Sequence, residues 1–413
     1  MNKLRKIAFL SFLICLVIQL FVIIFYWDVS QISDWGSYMA IAKNCLLFKS
    51  WYPSADNLYD SYIWAPGFIN WLILQLKFLG SFNYNMIFNL LMNIGITYEI
   101  YYLSKKFFNL RTSYISVILY SLIYSNWIII APAGTEIPFL FFALTAFCLS
   151  LSRHLWKVFF AGFFLIIANW IRPLIFIFIP SIFIWMYIQK RPSKFYVTFV
   201  LSMFCLVFIL GITNRIRVGE FIYLSTTGGV NLIMAANDDA KIGINHAIFT
   251  DSTNIAFIEN KEALTFKQKD LIYKQRAIEW ILDNPVKYAT MYVQKLFRLY
   301  ISDSWPDYPL NGADSLSGGF ISDIVKNGFT SVLFWRLVKS LIYYICLLFF
   351  VYALWVKRND ILSVKGIFLV MIFVGTVTTC IFPAATRYHY PFLFSIVIWA
   401  AYGVDHLFLK LKL

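Results

Sequence analysis

Charge is what this chain has least of. Only 14% of its 413 residues are charged, and the acidic ones are the scarcer kind, 21 against 35 basic. With 60% hydrophobic and 20% aromatic residues, there are too few polar side chains to cover a soluble globule of this size. Histidine is rarer still: His154, His246, His389 and His406 are too scattered for a zinc constellation, and no metal is expected. The cysteines (Cys15, Cys45, Cys148, Cys205, Cys346, Cys380) show no CxxC spacing, and all but Cys45 sit in apolar runs. That argues against a disulfide framework and against thiol chemistry. Internal repeats and low-complexity segments are also absent.

What the chain has instead is apolar runs of roughly 17–25 residues, the length that crosses about 30 Å of hydrocarbon as a helix. A β-barrel would read as short alternating segments. The expected spans are about 7–26, 84–104, 112–131, 134–152, 155–171, 173–189, 195–212, 332–356, 363–382 and 390–408. This is an all-α polytopic membrane protein of about ten spans, solvated by lipid. The run 7–26 follows Lys3, Arg5 and Lys6 but lacks a small-x-small cleavage site, so it reads as an uncleaved first span. The net charge of +14 lies mostly in short clusters between spans, which is a topology signal rather than a nucleic-acid-binding face.

The stretch Pro66–Gly80 decides the topology. It is apolar but short, and it follows Ala65 with a Pro-Gly pair. Were it to span, the cluster Lys105/Lys106/Arg111 and those after it would turn outward, against the positive-inside rule. Lying at the outer interface, it leaves Lys3/Arg5/Lys6, Lys105/Lys106/Arg111, Arg153/Lys157, Lys190/Arg191/Lys194, Lys357/Arg358/Lys365 and Lys410/Lys412 in the cytoplasm with both termini. The chain then divides into a transmembrane module (1–212, with a first outer loop 27–83), an outer loop subdomain (213–331) and a C-terminal group of spans (332–413). Within the subdomain, Thr265 and Gln268 form a capping-box pattern that opens a helix through Trp280, and Asn284-Pro285 restarts a second helix to about Ile301. Its Lys287, Lys295 and Arg298, interleaved with Tyr288, Tyr292 and Phe297, suit either a helix lying on anionic headgroups or an ordinary solvated pair.

Ionisable groups at a membrane face need a partner or a task. Asp34 opens a short helix just after the first span, where an N-cap is the plain alternative; Asp28 reads as a solvated interface residue. Glu136, in Thr135-Glu136-Ile137-Pro138, begins a span at its outer end, where a carboxylate and a first-turn proline are both favoured. Arg172 is the sole charge between two apolar runs, and Arg387 is the lone cation of the last outer turn. Two arginines and two carboxylates at one face suggest an anionic headgroup held near a base; snorkelling anchors are the alternative. Glu99 and Asp405 sit beside cations at cytoplasmic ends and are expected to pair structurally. His389 reads as an interface aromatic.

In this order, these pieces resemble the GT-C glycosyltransferases, in particular the protein O-mannosyltransferases and the transferase that adds aminoarabinose to lipid A. The carrying features are Asp34 with Tyr38, Trp64-Ala65-Pro66-Gly67, Thr135-Glu136-Ile137-Pro138, Arg172-Pro173, Ser225–Leu232 with Ala236-Asn237, Ala277–Trp280 leading to Asn284-Pro285, and Arg387-Tyr388. The resemblance implies a module of about seven spans with two juxtamembrane helices, a polyprenyl-phosphate sugar donor, and a site on the extracytoplasmic face of the cell membrane. It implies catalytic roles for Asp34 and Glu136, donor-phosphate contacts from Arg172 and Arg387, and substrate contacts from Tyr38, Asn237 and Tyr388. No cofactor beyond the donor is implied, and the acceptor is a glycan, lipid or protein. Asp34-Trp35 replaces the paired acidic motif of the mannosyltransferases, and Ala65 stands where some relatives have lysine. A lipid or oligosaccharide flippase, or another outer-face transferase such as an O-antigen polymerase, is the alternative; a transporter would show inverted repeats and midplane charges.

Overall fold

The computed structural model describes residues 1–54, 63–240, 243–311 and 331–411, and among these no β-strand occurs. The helices are α1 (Asn2–Tyr26), α2 (Ser33–Leu47), α3 (Pro66–Leu79), α4 (Tyr84–Phe107), α5 (Leu110–Leu122), α6 (Tyr124–Ile128), α7 (Glu136–Ser150), α8 (Leu155–Ile171), α9 (Ile179–Ile188), α10 (Ser193–Val218), α11 (Gly228–Ala235), α12 (Phe266–Asp283) and α13 (Pro285–Tyr300). After them come α14 (Tyr308–Asn311), α15 (Ser331–Lys339), α16 (Leu341–Val356), α17 (Ile367–Ile381) and α18 (Tyr390–Lys410). Among the described residues, α1, α10, α17 with its lead-in turn, and α18 are each long and apolar enough to cross a membrane. Shorter apolar helices, α7 and α8 among them, fill the bundle between.

The helices sort by how apolar they are around their circumference. On α18 nearly every side chain from Tyr390 to Ala401 is buried, and it packs against α16, α5 and α17; a helix apolar all round belongs in the centre. Phe394 stacks on Phe178 with ring centroids 6.1 Å apart. The helices α1 and α10 expose Phe9, Phe21 and Phe25, and Phe204 and Phe208, the surface a lipid-facing helix requires.

Several expected elements change shape for physical reasons. The span expected over 112–131 is broken at Ile123, whose backbone is extended (ψ 130°). Side chains satisfy the backbone groups that the break frees: Asn126 Nδ2 donates to the Tyr120 carbonyl at 3.0 Å, Trp127 Nε1 to that of Ser121 at 2.7 Å, and Asp303 accepts from the Ser125 amide at 3.0 Å. The span expected over 332–356 bends by 56° between α15 and α16, at Ser340. The one over 173–189 opens with a 3-10 turn, 175–177, before α9.

The Pro66–Gly80 stretch forms α3, which ends at Gly80 in the left-handed region (φ +75°). At about 1.5 Å per residue it is roughly 21 Å long, short of the hydrocarbon thickness, and it packs against α2 and α8. A Cβ at Gly67 would lie 2.7 Å from the Trp170 carbonyl group, so glycine is what lets α3 start against the end of α8.

The two outer-loop helices form where expected, with both halves of the capping box at Thr265 and Gln268 in place. One face of α13 docks on the bundle, while Val286, Val293 and Phe297 stay exposed on the other. Tyr288 and Tyr292 donate to the carbonyls of Ile381 and Val377 at 2.9 and 3.0 Å, docking it on the end of α17. Lys295 is fully buried; its Nζ lies 3.5 Å from the Ala235 carbonyl at the end of α11 and over the Tyr288 ring. Asp405 pairs with Arg111 at 3.0 Å as expected. Glu99 does not pair with a cation among the described residues; it accepts from Thr145 at 2.6 Å instead.

Candidate functional site

Asp34 lies in the first turn of α2, where the helix dipole favours a carboxylate. It does not act as the cap, which is Ile32; its Oδ2 accepts from Arg387. Tyr38 follows one turn later on the same face, wedged edge-on between Trp64 and Phe68 at 5.5 and 5.6 Å. Glu136 is the first residue of α7 and is buried, and the N-cap position belongs to Thr135.

Pro173 ends α8, because the residue before a proline avoids the helical region. Arg172 is accordingly extended (φ −150°, ψ 123°), and its guanidinium reaches Glu136 Oε1 at 2.6 Å and Thr135 Oγ1 at 3.0 Å. Arg387 sits in the 3-10 turn 386–389, between the Trp35 ring (4.7 Å) and that of Tyr388 (5.3 Å). The Tyr388 ring also takes the Arg172 guanidinium at 5.4 Å, so one aromatic ring serves both cations.

Four charges from four distant segments are thus joined as two ion pairs, Arg387 with Asp34 and Arg172 with Glu136. They share one electrostatic environment. Burial raises the Tyr38 hydroxyl far above its usual pKa; Asp34 and Glu136 add to that rise, while Arg387 and Arg172 oppose it. For Arg387, burial works against the charge, while the neighbouring Asp34, Tyr388 and Glu136 favour it. The pairs differ in access: the Asp34 side chain is 23% exposed and that of Glu136 3%. Asp34 is the more accessible carboxylate of the two.

Asn237 is not drawn into this cluster by any of its hydrogen bonds. Fully buried in a second core around α11 and α12, it donates to the Ile233 carbonyl at 2.7 Å and accepts from the Asp239 amide and from Asn254. Asp28 accepts from Asn83 at 3.1 Å.

Other residues hold the site in place and were not singled out from the sequence. Gln31 bridges the two halves: its amide donates to the Ala131 carbonyl at 3.1 Å and accepts from the Ala133 amide at 2.7 Å. Asn89 of α4 donates to the carbonyls of Ile130 and Pro132, and Asn93 to Asn126 at 2.8 Å. These amides carry the turn that presents Glu136. The signal was present, since Asn85, Asn89, Asn93 and Thr97 recur every four residues along one face of an apolar helix, and polar groups on such a face bond to neighbouring segments. Gly134 completes the turn; a Cβ there would come within 2.5 Å of Glu136 Oε2 and 2.9 Å of Trp35 Nε1.

Beside the Arg172 turn lies an apolar slot of about 290 Å³, lined by Trp51, Gly67, Pro138, Trp170 and Leu210, with Arg217 also in its lining. Among the described residues, no group of three or more His, Cys, Asp or Glu gathers in a way that could hold a metal ion.

Comparison with known proteins places the fold. No protein-family model matches the chain, and no curated protein matches it in sequence. Solved structures do match. The oligosaccharyltransferase of Archaeoglobus fulgidus in its apo form superposes over 98% of this chain with a TM-score of 0.53 at 10% identity. This chain covers 51% of that protein, so it spans about half its length. The Archaeoglobus fulgidus oligosaccharyltransferase AglB, in complex with an inhibitory peptide and a dolichol-phosphate, gives a TM-score of 0.49 at 11% identity over 98% of this chain and 50% of its own. ArnT from Cupriavidus metallidurans, bound to undecaprenyl phosphate, gives 0.40 at 11% identity over 97% and 79%. The chain shares the helical fold of that oligosaccharyltransferase, the GT-C fold its motif order implied.

Proposed function

We propose that this protein is a membrane glycosyltransferase that moves a sugar from a polyprenyl-phosphate donor to a glycan, lipid or protein acceptor at the extracytoplasmic face, with inversion. One observation carries the reading: two arginines and two carboxylates from four separate segments converge around one tyrosine at one end of the bundle. The fold shared with an oligosaccharyltransferase supports it, and the cation distribution favours an outside position for this end.

The chemistry asks little of the protein beyond a base and fixed positive charge. The acceptor hydroxyl attacks the anomeric carbon and gives its proton to Asp34. The bond from that carbon to the phosphate oxygen breaks, and the electron pair leaves with the polyprenyl phosphate. A phosphate monoester, with a second pKa near ~6, departs as a stable anion, so the catalytic acid that glycosidases require is not needed here.

The resting pairs fit this sequence of charges. As transfer proceeds, Asp34 loses its negative charge to a proton while the leaving phosphate gains one. Arg387, bound to Asp34 at rest, is placed to exchange one anion for the other without moving far, which is preorganised stabilisation of charge where it develops. Donor phosphate therefore loosens Arg387 from Asp34 and frees the base, so donor binds before acceptor. Arg172, held by Glu136, adds the second positive charge, and Glu136 orients the sugar or acceptor through that pair. The reading assigns no cofactor, because the arginines supply the cationic field. The apolar slot beside Arg172 takes the start of the polyprenyl chain.

Purified protein incubated with radiolabelled polyprenyl-phosphate sugars should release polyprenyl phosphate and label an acceptor in membranes. Failure with every donor in such a panel, from protein shown to be folded, overturns the proposal. Mass shifts of lipids and proteins in the same membranes identify sugar and acceptor together.

A further inference from the structure

The segment that leaves α13, residues 301–309, is a buried polar strap. Ser302, Asp303, Ser304 and Asp307 are all buried, which is costly unless each group has a partner. Asp303 accepts from the Ser125 amide at 3.0 Å, and its own amide donates to Ser340 Oγ at 3.0 Å, at the joint between α15 and α16. Asp307 accepts from Tyr124 at 2.6 Å and pairs with Lys339. At its far end the strap meets α2: the Pro309 carbonyl accepts from the Ile32 amide at 3.2 Å, and Tyr308 lies edge-on to Trp35 at 6.3 Å. The start of the helix that carries Asp34 is therefore tied to this strap.

The turn that carries Arg387 is tied to it as well, through His389. That ring is fully buried, stacked between Tyr343 and Tyr300 at 4.9 and 6.3 Å. Its Nδ1 lies 2.9 Å from the Leu299 carbonyl, which can only accept, so Nδ1 donates. Its Nε2 lies 3.3 Å from Asp303 Oδ1. Both nitrogens face acceptors, which fixes the ring in one orientation. His389 is not the interface aromatic that the sequence suggested.

We infer that the His389–Asp303 pair is a latch and that its two members are positioning residues. By fastening the 386–389 turn to the strap that also holds the start of α2, it sets Arg387 against Asp34 and so sets the affinity for the phosphate of the donor. This rests on the donor-binding reading above. The outer-loop subdomain, which contains α13 and the strap, is thereby coupled to the phosphate-binding arginine.

The test uses full-length protein in detergent with three variants: His389→Phe, Asp303→Asn, and the pair His389→Phe with Asp303→Leu. The last removes both members together, because a single replacement of the histidine leaves a buried carboxylate short of a partner and can itself unfold the protein. Hydrogen exchange of peptides covering 383–392 should rise in every variant that folds, while peptides from α10 stay as in the wild type. Donor KM should rise about tenfold with kcat within about threefold, because positioning of the phosphate is lost and the base is not. Wild-type exchange at 383–392 together with wild-type donor KM in the double variant overturns the inference. A wild type that turns over no donor sinks the glycosyltransferase reading instead, and the exchange measurement still decides whether the latch exists.

Discussion

At the scale of single residues, Asp34 and Arg387 carry opposite ends of one charge transfer, and their variants should separate. Asp34→Asn keeps the shape and a hydrogen-bonding oxygen but cannot take the acceptor proton. Turnover should fall by about 10² to 10⁴, the usual worth of a positioned base, with the protein still folded in the membrane. Near-normal turnover would remove Asp34 as the base. Arg387→Ala should raise donor KM more than acceptor KM, and it should abolish the donor-first order of binding seen in initial-rate kinetics, because the anion exchange on the guanidinium is gone. An unchanged order in that variant counts against the exchange.

Lys295 makes a separate prediction. Burial pushes its amine down to about 8 from the ordinary 10.5. A base with a depressed folded-state pKa binds fewer protons folded than unfolded between those two values, so stability should rise with pH across about 8 to 10.5. Below that window the buried charge counts in full against the fold. Lys295→Met, of similar shape, should flatten this rise in a thermal-unfolding series and raise the midpoint at pH 7. A slope equal to wild type would show that the rise has another source.

At the scale of elements, the site depends on places where helices stop. Pro173 ends α8 and frees Arg172 to reach Glu136, Ile123 interrupts the span before α7, and α3 begins against α8 at Gly67. Gly67→Ala puts a methyl against the Trp170 backbone, which cannot move aside as a flexible side chain would. Overpacking of this kind costs about 1–3 kcal/mol and should lower the unfolding midpoint, with donor affinity falling because Arg172 follows two residues after Trp170. Gly80→Ala, where φ is +75° but no atom lies within 4 Å of the added carbon, should cost about 1 kcal/mol through backbone strain and leave donor affinity alone. Equal effects on donor affinity from the two substitutions would show that the α3–α8 contact does not reach the site.

At the scale of the whole molecule, the proposal needs every site residue on one side of the membrane. Ser252→Cys, exposed in the outer-loop subdomain, and His154→Cys, exposed in the turn between α7 and α8, should behave oppositely toward a membrane-impermeant maleimide on intact cells. Labelling is expected at 252 and not at 154. Reversed or equal labelling would put α7 and the outer loop in the wrong relation to each other, and the proposed outer face with it.

The all-helical membrane architecture was legible in the sequence because lipid solvation is written into composition and run length, and a helix satisfies its own backbone wherever it lies. Candidate charges were legible for a related reason: in so apolar a chain each unneeded ion is costly, so Asp34, Glu136, Arg172 and Arg387 stand out. Tertiary structure alone decided their pairing, because contacts between residues 353 and 36 positions apart depend on how the helices are tilted and where they break. It also decided the break at Ile123, the burial of Lys295 and the place of Asn237 in a second core. His389 and Asp303 look unremarkable as letters; besides each other, their partners are a backbone carbonyl and a backbone amide, which leave no mark in a sequence.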